Sequence, residues 1–182
     1  MKKIIIAAVF SAASVIANAQ TAASSTATQQ VNLSLTNAIA ITFTGSGTAT
    51  GAAVTLPFTT VSDYTNGVTS AAQALKVQSN KNFSITVNTN SATFSYTGST
   101  FPAPSMPVSA LNVKVTANGT GGTIAGTFGS AYTDLSATAQ NLITNGTYGG
   151  NQTFSVQYQA TPGFAYPAGT YTTSVVYTAT QL

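Results

Sequence analysis

The stretch QALKVQSNKNFSITVNT, residues 73–89, decides the fold class. Leu75 and Val77 alternate with Lys76 and Gln78 before the polar run Ser79–Asn82, and Phe83, Ile85 and Val87 alternate with Ser84, Thr86 and Asn88 after it. Successive side chains on a pleated backbone point to opposite faces, so apolar groups at a period of two mark a half-buried strand. Two such runs around a short polar break predict a β-hairpin.

The same period extends in both directions. Upstream, VNLSLTNAIAITF (31–43) places Val31, Leu33, Leu35, Ile39, Ile41 and Phe43 on one face, with Asn37 interrupting, as one bulged strand or two in sequence. GSGTATG (45–51) reads as a loop, and AVTLPFTTV (53–61) as a weaker strand suited to an edge, because Pro57 cannot donate to a ladder. Phe94 and Tyr96 continue the alternation until FPAPSMP (101–107), a surface loop. Leu111, Val113, Val115 and Ala117 then alternate up to an Asn118-Gly119 turn. Strands are expected around Ile124–Phe128 and Leu135–Ile143, the latter with a short helix as its alternative. A last hairpin is expected to join Phe154, Val156 and Tyr158 to a terminal strand carrying Tyr171, Thr173, Val175, Tyr177 and Ala179. Eight to eleven short strands at nearly regular spacing predict an all-β fold, a single antiparallel β-sandwich over residues 31–182.

Composition narrows the chemistry. The 182 residues include 33 Thr but only 4% charged residues, and Cys, Trp, His, Arg and Glu do not occur. The acids are Asp63 and Asp134; the bases are Lys2, Lys3, Lys76, Lys81 and Lys114. MKKIIIAAVFSAASVIANAQ (1–20) has the basic start, apolar run and small-x-small end of a secretory signal peptide, predicting cleavage between Ala19 and Gln20. Its apolar run is too short for a membrane span, and residues 20–30 read as a flexible polar leader. Secretion or display at a cell surface follows, with no transmembrane segment in the mature chain.

After Ala19 the chain keeps three lysines and two aspartates, a net charge of +1. Nucleic-acid binding requires several cations on one face and is not expected. Without His or Cys there is no nucleophile–base dyad and no usual zinc site, so no catalytic residue, metal or cofactor is predicted. Asp63 and Asp134 could form a carboxylate pair, but capping of turns is the expected role for each. Tyr64, Tyr132, Tyr148, Phe164 and Tyr166 fall in loop-like segments and form the candidate ligand surface, with ordinary packing as the rival explanation. The Thr-x-Thr triplets at 42–44, 48–50 and 178–180 and the Asn-x-Thr triplets at 118–120 and 145–147 follow from composition.

YPAGTYTTSVVYTAT (166–180) resembles the close of bacterial secreted domains of the spore coat protein U type and of related fimbrial or surface-layer families. LKVQSNKNFSITV (75–87) is similar to a hairpin common in such proteins. The resemblance implies an immunoglobulin-like, pilin-like sandwich, exported across the inner membrane and assembling into fibres or coats. The chain departs from pilin-like members that carry a disulfide, since it has no Cys.

Physical argument leads to the same expectation. Open sheet edges are normally protected by charge, and this chain has almost none. Near-neutral, Thr-rich surfaces favour association. The expected function is that of a non-enzymatic extracellular subunit, self-associating into a homopolymer through strand edges, with other surface subunits or glycan as further partners. Val31–Phe43 is then either a donor strand for a neighbour or a first strand paired with the terminal strand of its own molecule. The alternative function is an adhesin for glycan, cell wall or ice.

Overall fold

The computed structural model describes residues 23–182. The predicted signal peptide and its Ala19–Gln20 cleavage point lie outside the described residues. The chain divides into two units, residues 1–34 and 35–182. In the first, residues 23–34 form no helix or strand and are exposed. The regular elements of the described residues belong to the second.

That unit is a sandwich of two antiparallel sheets. One follows the order β1 (Ile39–Phe43), β3 (Gln73–Ser79), β10 (Gly149–Ala160), β6 (Leu111–Gly119), β8 (Thr133–Asp134), with β2 (Val68–Thr69) pairing to the end of β10. The other follows β12 (Val175–Gln181), β4 (Phe83–Thr89), β9 (Gln140–Gly146), β7 (Thr123–Ile124). A separate ribbon pairs β5 (Ser95–Thr97) with β11 (Thr170–Thr172). The twelve strands among the described residues exceed the eight to eleven expected, and the surplus consists of pieces of two or three residues.

The inward positions are those that alternation marks. Leu75, Val77, Leu111, Val113, Val115, Phe154, Val156 and Tyr158 from the first sheet meet Phe83, Ile85, Val87, Leu142 and Ile143 from the second in one buried cluster. Phe128 and Leu135 close it from the connections. Burying such side chains contributes about 1.5–3 kcal/mol each, and the core is the main force holding a chain without disulfides.

Pairing differs from expectation. None of the described strands pairs with its immediate neighbour in sequence. The 73–89 stretch is therefore not a hairpin: β3 and β4 belong to opposite sheets, and Asn80–Asn82 carries the chain across the core. Buried Leu75 and Val77 face buried Phe83, Ile85 and Val87 because a turn between two stacked sheets also directs both apolar rows inward. The 153–181 segment is corrected in the same way, since β10 and β12 lie in different sheets.

Other expectations change locally. Only Ile39–Phe43 of the 31–43 run is strand, and it pairs with β3, not with the terminal strand, which pairs with β4. Val31, Leu33 and Leu35 lie outside any strand. AVTLPFTTV contains no strand: residues 53–59 form no regular element, consistent with Pro57 and the small residues before it, and Val61 begins a helix. The expected strand Ile124–Phe128 is paired only at Thr123–Ile124, and Leu135–Ile143 contains no helix.

The α-helix among the described residues is α1, Val61–Asn66, where a loop was expected. A capping box starts it: the Asp63 amide donates to the Thr60 hydroxyl, and the Thr60 amide donates to the Asp63 carboxylate. Gly67, with φ +81°, ends it.

Candidate functional site

Two features of the second unit are candidates: an open seam between sheet edges, and an aromatic groove.

The seam lies between β1 and β12, the edge strands of the two sheets on one side of the sandwich. At one end it is pinched shut. The Gln181 side-chain amide donates to Ala38 O, Ser79 Oγ and Asn80 Oδ1, and the Asn80 amide donates to Thr36 O at 2.7 Å. At the other end it opens into a cavity of about 160 Å³, walled by Ile41, Phe43, Leu75, Val175 and Tyr177.

β12 is paired on one side only, through seven residues in continuous register from Val175–Thr89 to Gln181–Phe83. It contains no charge, proline or glycine. Val175, Tyr177 and Ala179 turn toward the core, and Val176, Thr178 and Thr180 face solvent. The opposite edges, β7 and β8, are two residues each. Short edges offer little to pair with; β12 offers a full-length strand.

The groove is formed by the segment 49–58, Tyr64 of α1 and residues 162–175, which include β11, and has a volume of about 860 Å³. Two of the five predicted ligand-surface residues, Tyr64 and Tyr166, line it, and a third, Phe164, packs on Tyr64. Tyr64, on α1, stacks on Phe164 with ring centroids 5.2 Å apart and planes at 20°, and Phe58 packs on Tyr64 at 5.4 Å. Tyr166 meets Tyr171 edge-on at 6.3 Å, and Tyr171 in turn packs against Tyr96 at 5.0 Å. Phe164 is 68% exposed.

The other two predicted residues lie elsewhere. Tyr132 donates its hydroxyl to Gln157 at 2.7 Å. Tyr148 is exposed beside Asn82, whose side-chain oxygen accepts its backbone N–H. Phe58, Tyr96 and Tyr171 are additions that alternation concealed, because a strand-like period marks them as ordinary packing residues.

Both aspartates are engaged. The Asp63 carboxylate accepts from the amides of Thr60 and Thr59, and these bonds hold its pKa below the usual aspartate value. This is the expected capping role. Asp134 Oδ1 instead accepts from the Asn112 side chain on the adjoining strand. No helix among the described residues is long and apolar enough to cross a membrane.

No protein-family model matches the chain, and no curated protein is found as its relative.

Proposed function

We propose that the chain is a non-enzymatic structural subunit of a bacterial extracellular fibre, pilus or coat, exported by its N-terminal segment and joined copy to copy through strand edges. The observation that carries this is β12: seven uncharged, proline-free residues whose outer backbone groups have no neighbouring strand. Monomeric sheets commonly protect such an edge with lysine, proline or a bulge, and none of these is present on it.

The chain also contains a suitable second strand. Val31, Leu33 and Leu35 are 73, 81 and 86% exposed, in the alternating spacing that a sheet face requires. Supplied to a neighbouring copy, they would meet the apolar wall of Ile41, Phe43, Val175 and Tyr177 while their backbone pairs with β12. The resemblance of residues 166–180 and 75–87 to secreted coat and fimbrial domains points the same way.

The test is the assembly state of the chain from Gln20 onward, by light scattering and negative-stain microscopy. Filaments or large oligomers are expected, and a start at Thr36, which keeps the Asn80 contact, is expected to yield a folded monomer. Monomers in both cases would refute the reading.

A further inference from the structure

The aromatic groove has properties that strand pairing does not use. We propose that it is a binding site for a neutral oligosaccharide, with the rings of Tyr64 and Tyr166 as stacking platforms.

Three observations carry this. The first is that both rings are held in place before any ligand arrives. Phe164 backs Tyr64, and Tyr171 backs Tyr166 while its own hydroxyl is fixed by donation to Pro167 O at 2.9 Å. Tyr96 supports Tyr171 from behind and is itself anchored by donation to Ala168 O at 3.0 Å. Rings already ordered need not be immobilised on binding.

The second is the state of the hydroxyls. Of the eight tyrosines, Tyr96, Tyr132, Tyr158, Tyr171 and Tyr177 all engage a protein partner through the phenol. The hydroxyls of Tyr64, Tyr148 and Tyr166 have no hydrogen-bond partner among the described residues, and of these three Tyr64 and Tyr166 line the groove. A purely apolar ligand covering them would leave two polar groups unsatisfied. A sugar satisfies both needs, since its C–H face meets the negative face of the ring and its hydroxyls bond the phenols.

The third is charge. Among the described residues, no ionisable group other than tyrosine lines the groove, and the nearby Asp63 carboxylate is occupied by Thr59 and Thr60. An anionic or cationic ligand would find no counter-charge, so the ligand class is neutral. The volume, about 860 Å³, lies within the roughly 300–1,000 Å³ of ligand clefts and suits several linked sugar rings.

The test is calorimetric titration of the whole chain with cellohexaose, maltohexaose and N-acetylchitohexaose, with hexaproline as a peptide comparator. At least one oligosaccharide is expected to bind saturably. Tyr64→Ala and Tyr166→Ala are each expected to weaken that affinity by about tenfold or more. Tyr148→Ala, away from the groove, is expected to leave it unchanged. Tyr64→Phe and Tyr166→Phe preserve the rings, and are expected to weaken binding less, which separates lost contact from a disturbed fold. Absence of binding to all three sugars, equal affinity in the Tyr→Ala variants, an equal loss in Tyr148→Ala, or preference for hexaproline would overturn the assignment.

Discussion

Tyr158 on β10 and Tyr177 on β12 meet hydroxyl to hydroxyl at 2.8 Å, one from each sheet. The contact ties the edge strand β12 to the middle of the opposite sheet. Tyr177 also meets Phe43 and Phe154 in edge-to-face contacts, at 6.4 and 6.2 Å, so one side chain joins the seam to the core. Burial pushes the Tyr158 phenol above its usual pKa and Tyr177 well above it, with the neighbouring Tyr158 adding to the latter.

A pH dependence follows from these directions. Both folded-state pKa values exceed the unfolded value of about 10, so this contribution to stability is intact below about pH 10 and is lost as pH rises through the folded values. Urea unfolding at pH 8 and pH 11 is expected to show a lower midpoint at pH 11. Tyr177→Phe should cost about 1–3 kcal/mol at pH 8 by leaving the Tyr158 hydroxyl without its partner. The double variant Tyr158→Phe/Tyr177→Phe should recover most of that loss and flatten the pH dependence.

Asp63 gives a dependence of opposite sign. Its pKa is lowered, chiefly by the Thr60 and then the Thr59 backbone amides, so its contribution is present above the ordinary aspartate pKa and lost as pH falls through the folded value. Because Asp63 caps the helix that carries Tyr64, the loss is expected to be local. Asp63→Asn should change the near-ultraviolet tyrosine signal and remove its acid-dependent change while leaving the far-ultraviolet β signal in place.

Gly146 ends β9 against a ring that cannot yield. A Cβ there would come within 2.7 Å of the Phe83 ring, which is fully buried. Gly146→Ala is expected to destabilise the fold by roughly 1–3 kcal/mol through overpacking, measured as a lowered urea midpoint. Gly150→Ala, where a Cβ meets nothing within 4 Å, is the matched control.

The phase of the strands was legible in the sequence, and their partners were not. Leu75, Val77, Phe83, Ile85 and Val87 all point inward as the alternation predicts. That pattern reports a buried face, however, and is the same whether the two runs pair in one sheet or stack across a core. Helix α1 lacked the apolar periodicity that betrays longer helices, and its signal was the Thr60-to-Asp63 capping box. Tyr64, Phe164 and Tyr166 were legible as loop aromatics, but their convergence depends on connections that no local pattern encodes. Tyr132 and Tyr148 looked alike in sequence and were placed elsewhere.

The central claim is that the free edge of β12 is an assembly surface. The most direct measurement compares the chain from Gln20 with its Thr178→Lys/Thr180→Lys variant by light scattering and negative-stain microscopy. Both substitutions lie on the solvent face, paired in register with Thr86 and Ser84, so the fold is expected to survive, as circular dichroism would verify. The account predicts ordered polymer from the unsubstituted chain and folded monomer from the lysine variant. Polymer of equal size and order from a folded lysine variant would contradict it.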